Sequence, residues 1–159
     1  MVADDTLANV RMLETRLARD GYEVVVARDG EEALAAAREK QPDLILLDIM
    51  MPKIDGIEVC RRLKSDPDFP FTPIIMVTAL TDSKDLVRGF EAGGDDYLTK
   101  PVDRQALSAR VKSMLRIKSL HDTVQEQAQR LKAQAAELER WNATLEERVV
   151  QQLGELERV

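Results

Sequence analysis

Apolar residues in the first hundred positions fall into short unbroken runs separated by amphipathic stretches. Leu44-Ile45-Leu46-Leu47 and Ile74-Ile75-Met76-Val77 are continuous runs, as expected of strands buried on both faces. Val24-Val25-Val26 and Tyr97-Leu98-Thr99 predict two further strands. The stretches between them predict helices: Asn9 to Arg19, Glu31 to Lys40 after the Asp29-Gly30 turn, Ile57 to Lys64 after Asp55-Gly56, and Leu86 to Ala92 before the Gly93-Gly94 stop. Strands alternating with helices predict an α/β fold, a parallel sheet covered on both faces. The first strand is the weakest element. Only Met1, Val2 and Ala3 precede Asp4-Asp5, whereas strands usually run to about five residues. A short, poorly anchored strand is expected there.

The pattern changes near residue 103. Beyond Asp103, a plausible N-cap just after Pro101, there is no proline, and Gly154 is the one glycine. Apolar residues now recur every seven positions. One row reads Ile117, Val124, Leu131, Leu138, Leu145, Gln152, Val159; the other reads Met114, His121, Ala128, Ala135, Asn142, Val149, Leu156. The second row follows the first by four residues, so the first is d and the second a. A helix from Asp103 to the end would be roughly 85 Å long at about 1.5 Å per residue, too long to pack on one small domain. The expectation is a parallel homodimeric coiled coil from about residue 114. Ile117, Val124, Leu131, Leu138, Leu145, Val149 and Leu156 form its seam, Asn142 fixes its register, and Trp141 lies beside it. This gives a globular domain over residues 1–118 and a signalling helix over 119–159, continuous with the last helix of that domain.

Composition narrows the function. The 159 residues are 44% hydrophobic and 33% charged, with a formal net charge of -6 and a pI near 4.9. Such an acidic chain is a poor non-specific ligand for nucleic acid, and none is expected as partner. No apolar run is long enough to span a bilayer and no signal peptide opens the chain, so no membrane is expected. Cys60 is the one cysteine and cannot form an internal disulfide. That suits a cytoplasmic protein. Cys60 sits on a helix beside Val59 and Leu63, which favours packing over redox work.

In open parallel α/β sheets, functional groups gather at the carboxyl ends of the strands. Asp4-Asp5, Asp48, Thr78 and Thr99-Lys100 all fall there. Clustered carboxylates repel unless a cation compensates. An oxygen-only donor set suits Mg²⁺. A carboxylate beside Mg²⁺ and a lysine can act as nucleophile toward a phosphoryl group. Taken singly, each residue has a bland explanation: Asp4-Asp5 as a helix cap, Asp48 and Asp55-Gly56 as turn residues, Lys100 as a solvated charge. Their convergence outweighs those explanations.

The chain resembles the receiver domains of bacterial two-component response regulators over about residues 1–118. The matching text is Val2-Ala3-Asp4-Asp5, Leu47-Asp48-Ile49-Met50-Met51-Pro52, Asp55-Gly56, Val77-Thr78-Ala79 and Lys100-Pro101. The resemblance implies a doubly wound, flavodoxin-like five-stranded sheet of order 2-1-3-4-5. It implies Asp48 as the phosphoacceptor. It implies a Mg²⁺ held by Asp5, Asp48 and the Met50 backbone carbonyl, with Asp4 acting through water. Lys100 bridges to acceptor or phosphate, through a cis bond to Pro101, and Thr78 and Tyr97 form the switch pair. The implied partner is a sensor histidine kinase or phosphotransfer protein. The run Trp141-Asn142-Ala143-Thr144-Leu145-Glu146-Glu147-Arg148-Val149 is similar to linkers joining receivers to cyclase outputs. It points to a missing output domain, a class III adenylate/guanylate cyclase or a diguanylate cyclase, so this chain alone is not expected to be an enzyme. Two other readings compete. A haloacid-dehalogenase-like enzyme would want a second Asp two residues after the nucleophile, and position 50 is Met. A scaffold with a degenerate receiver would not keep Asp4, Asp5, Asp48, Thr78 and Lys100 together.

Overall fold

A computed structural model describes residues 1–79 and 83–159. The chain divides into two compact units, Met1–Leu120 and His121–Val159. The first unit alternates strands and helices. They are β1 (Val2–Ala3), α1 (Leu7–Arg19), β2 (Val26–Ala27), α2 (Gly30–Lys40), β3 (Ile45–Asp48), α3 (Gly56–Ser65), β4 (Ile74–Thr78), α4 (Ser83–Glu91) and β5 (Asp96–Thr99); α5 (Arg104–Glu157) follows. The five strands are parallel in the order β2-β1-β3-β4-β5, as the resemblance implied.

Strand alternation sorts the core into two layers. Ala3, Ile45, Leu47, Ile74 and Met76 face α2 and α3, where Ala33, Ile57, Val59 and Leu63 meet them. Val2, Leu46, Ile75, Val77 and Leu98 face α1 and the start of α5, against Leu13, Leu107, Val111 and Met114. The starts of α2, α3 and α5 are fixed by acidic caps. Asp29 accepts from the Glu32 N–H at 2.9 Å, Asp55 from Glu58 at 2.8 Å, and Asp103 from Ala106 at 2.8 Å. Gly93, at φ 101°, stops α4, and the Gly94 N–H returns to the Gly89 carbonyl at 3.0 Å.

Two expectations shift. The first strand is short but firmly anchored. Met1 N donates to the Leu44 carbonyl at 2.7 Å, Val2 N to Val25 at 2.8 Å, and Leu46 N to Met1 at 2.9 Å. Lying between β2 and β3, it gains ladder bonds on both sides, which offsets its length. The second strand is Val26–Ala27 rather than Val24 to Val26. As an edge strand it pairs only with β1, so two residues of β1 limit it to the pairs Val2–Val26 and Ala3–Ala27.

The second unit is helix throughout most of its length, and none of its residues is buried. Met114, the first residue of the a row, is buried in the core of the first unit and is not free to join a seam.

Candidate functional site

Asp48 and Thr78 end β3 and β4, while Asp4 and Lys100 directly follow β1 and β5. Parallel register therefore brings four chain-distant residues to one rim. The Lys100 N–H donates to the Thr78 carbonyl at 2.8 Å and holds that end of β5 beside β4. The Lys100 ammonium donates to Asp48 Oδ2 at 3.0 Å and lies 3.1 Å from Asp4 Oδ2. The other Asp48 oxygen accepts from the Met50 N–H at 3.2 Å. Asp4 Oδ1 accepts from the Thr6 N–H at 2.8 Å. Asp4 Oδ2 is fully buried, and even beside the ammonium it takes no well-oriented hydrogen bond. Asp4 and Asp48 are buried, whereas Asp5 is exposed at the mouth.

Burial pushes the Asp48 carboxyl above the usual carboxylate range. Lys100 pulls it down and the Asp4 charge adds to the rise. For Lys100, burial works downward, but its hydrogen bond to Asp48 and the negative charges of Asp48 and Asp4 outweigh it and raise the ammonium. The two rises differ in cause: burial dominates for Asp48, whereas the two carboxylates around it raise Lys100. Asp4, Asp5 and Asp48 each offer a carboxylate oxygen, all within 4.8 Å of one another. This oxygen-only donor set, with one buried oxygen lacking a hydrogen bond, fits a hard divalent cation such as Mg²⁺.

The loop after Asp48 is held by backbone. Ile49 N donates to the Val77 carbonyl at 3.2 Å, and Gly56 N to the Ile49 carbonyl at 2.9 Å. A Cβ on Gly56 would lie 2.0 Å from the Asp48 carbonyl oxygen, so only glycine lets α3 start this close to Asp48. The Lys100–Pro101 peptide bond is cis.

Thr78 is buried at the rim. Tyr97 is half-buried one strand away. Phe90 packs edge-on against it at 6.0 Å between ring centroids, and the Arg110 guanidinium lies 5.6 Å from its ring. Arg110 also binds both oxygens of Asp96, at 2.6 and 2.7 Å. A void of about 10 Å³ lies between Thr78, Met76, Gly89 and Tyr97. It is too small for a phenol ring, so an inward turn of Tyr97 requires α4 to yield. Sequence reasoning gave Gly56, Asp96 and Arg110 no such roles. Asp96 and Arg110 are joined only by the packing of α5 on β5, and no spacing marks that. The Asp55-Gly56 dipeptide did mark a turn, but not how close it comes to Asp48.

The predicted seam residues do not enter any core. Ile117, Val124, Leu131, Leu138, Leu145, Val149 and Leu156 are all exposed, as is Trp141. Asn142 is exposed as well.

Residues 1–112 match the response regulator receiver domain, so the chain belongs to that family, the signal receivers of two-component systems. Receivers of this family act through phosphorylation by histidine kinases or phosphotransfer proteins. The chain is similar to the response regulator PleD of Caulobacter vibrioides, at 48% identity over 126 residues, covering 79% of this chain and 28% of that protein. It is equally similar, 48% over 116 residues, to the alkaline phosphatase synthesis transcriptional regulatory protein PhoP of Bacillus subtilis, covering 73% of this chain and 48% of that one. It thus spans less than half of these curated relatives. Among solved structures, the receiver domain of the Francisella response regulator 1452 superposes with a TM-score of 0.67 at 35% identity, covering 72% of this chain and 93% of that one. The receiver of a modulated diguanylate cyclase from Desulfovibrio desulfuricans gives 0.67 at 30%, covering 76% and 94%. No helix among the described residues is long and apolar enough to cross a membrane.

Proposed function

We propose that Asp48 is the phosphoacceptor of this receiver and that its phosphorylation is relayed through a dimeric α5 to an output domain. The observation that carries the first half is the Lys100 ammonium set between Asp48 and Asp4 at 3.0 and 3.1 Å. An Asp48 oxygen attacks the phosphorus of a kinase phosphohistidine. The P–N bond breaks and the imidazole keeps the electron pair, taking up a proton. Lys100 holds the acceptor and balances charge on the incoming phosphoryl oxygens, and the Thr78 hydroxyl donates to one of them. Asp5, Asp48 and the Met50 carbonyl would hold Mg²⁺, with Asp4 acting through water; the ion would neutralise phosphoryl charge. Thr78, drawn toward the phosphate, and a yielding α4 together make room for Tyr97 to turn inward, which loosens its contacts with Phe90 and Arg110 and so reaches α5.

The exposed row Ile117, Val124, Leu131, Leu138 and Leu145 supports the second half, because a seven-residue repeat is matched best by a second copy of itself. A parallel pair lets the two Asn142 amides bond each other and puts two output domains at one end. The similarity to a diguanylate cyclase receiver supports a nucleotide cyclase as output. The similarity to PhoP supports a transcriptional output instead.

Acetyl phosphate with Mg²⁺ should add one phosphate to the intact chain by mass spectrometry. An Asp48→Ala variant that gains it at the same rate would sink the assignment. Sedimentation should give a dimer at tens of micromolar, and a monomer there would remove the relay.

A further inference from the structure

From the surface of α5, we infer that the helix carries two alternative dimer seams that share one apolar row. The inference rests on the dimer reading above. The shared row is Ile117, Val124, Leu131, Leu138 and Leu145, every member exposed. A two-stranded seam needs a second row, either four or three residues further on. The row at plus four is His121, Ala128, Ala135, Asn142 and Val149. The row at plus three is Leu120, Gln127, Gln134, Trp141 and Arg148.

The two rows complement each other. Where the first is polar, at His121 and Asn142, the second offers Leu120 and Trp141, which are 61% and 60% exposed. Where the second is polar, at Gln127, Gln134 and Arg148, the first offers Ala128, Ala135 and Val149. Neither seam is apolar at every level, so neither dominates by burial. With 3.6 residues per turn, the seam centres differ by a rotation of about 50° of each helix about its axis. The shared row stays in contact throughout, so the exchange needs no dissociation.

A second copy is the occupant the charges allow. In the first seam, paired in parallel, Gln127, Gln134, Trp141 and Arg148 meet Lys132, Glu139, Glu146 and Leu153 of the other copy. No like charges are opposed. None of the residues of this unit is buried by its own chain. Trp141 flanks the first seam and fills the second, and it is the one tryptophan in the sequence. Its environment therefore reports which seam is populated. Phosphorylation at Asp48 acts by changing the balance between the two.

The test uses the full chain in a Cys60→Ser background. Asn142→Cys cross-links the copies through the first seam, and Trp141→Cys through the second. Saturating beryllofluoride with Mg²⁺ stands in for the phosphoryl group. The ratio of the two cross-linking rates should move by about tenfold, the equivalent of about 1.4 kcal/mol. Because replacing Trp141 can itself bias the rod, the unsubstituted chain is read by tryptophan emission. Its maximum should move on adding beryllofluoride, and should not in Asp48→Ala. Two locking variants calibrate it: Gln127→Leu with Gln134→Leu should shift emission to shorter wavelength than His121→Leu with Asn142→Leu. If both locked variants give a dimer with the same emission and the rate ratio stays fixed, the two-seam inference is overturned while the dimer stands. A monomer by sedimentation overturns both.

Discussion

The same chain solves the burial problem in two ways. In the unit Met1–Leu120, strands and helices cover one another, and residues such as Ile45, Leu47, Ile57 and Ile74 are at most 1% exposed. In the unit His121–Val159, the repeat is as regular but Leu131, Leu138 and Leu145 stay 51 to 66% exposed. Periodicity alone makes an amphipathic helix; burial needs a partner surface. The receiver finds that surface within itself, so its stability does not depend on concentration. On the proposed dimer, the helix would find it on a second copy, and its order would then be tied to mass action. That difference would suit the proposed relay, in which a self-sufficient receiver acts on an element whose packing is cheap to rearrange.

The largest expected effect separates the two regions through one kind of substitution. Gly56→Ala sets a Cβ 2.0 Å from the Asp48 carbonyl. It should cost about 3 kcal/mol in urea unfolding and slow acetyl-phosphate labelling, because the backbone at Asp48 must move. Next comes Leu138→Ala. It should leave receiver unfolding unchanged and weaken the dimer. Two side chains lost per dimer, at about 1.5 kcal/mol each, give about 100-fold in Kd. An unchanged Kd would break the proposed division of labour.

Cys60 tests receiver packing by pH. Burial pushes its thiol from 9.0 up to about 11. The folded pKa is the higher one, so the unfolded chain loses its proton first. Stability should fall as pH rises from about 9 to about 11, by up to about 2–3 kcal/mol. Cys60→Ser should flatten that slope in pH-dependent unfolding, and alkylation of native Cys60 at pH 8 should be slow.

A smaller effect concerns Asp48, whose carboxyl is raised by burial and by Asp4. Ionised Asp48 therefore costs stability above its unfolded pKa, and the cost disappears as pH falls through the raised folded value. In metal-free buffer, Asp48→Asn should melt higher than wild type at pH 7, with the gap closing on acidification. Asp29 and Glu58 run the other way. A backbone bond from Glu32 lowers Asp29, and Arg62 and Arg61 lower Glu58, so both lose stability as pH falls through their folded values. Mg²⁺ should narrow the Asp48→Asn difference; no effect of Mg²⁺ on wild-type melting would count against the metal site. The smallest effect is Gly154→Ala. Nothing lies within 4 Å of a Cβ there. Helical propensity should add about 0.8–1 kcal/mol to the helix, read by circular dichroism of the dimer.

The order of elements and the chemistry of the rim are legible in the amino-acid pattern alone. The unbroken apolar runs of β3 and β4 read as buried strands, Gly and Asp mark where helices begin and stop, and acidic and hydroxyl residues at strand ends fall on one edge of a parallel sheet. The seven-residue repeat likewise announced a long helix. Tertiary structure decided what local pattern cannot encode. Two residues of β1 suffice because neighbours bond them on both sides, and that same shortness trims β2. Met114 belongs to the receiver because it is buried in one core with the chain-distant Leu13, Leu46 and Ile75, although its spacing fits the repeat equally well. Asp96 and Arg110 clasp beside Tyr97 only because α5 packs on β5. Asp4 and Asp48 share one ammonium through separations that no spacing rule measures. In each case the deciding term is a contact between chain-distant groups, whose energy depends on distance and burial rather than on position in the sequence.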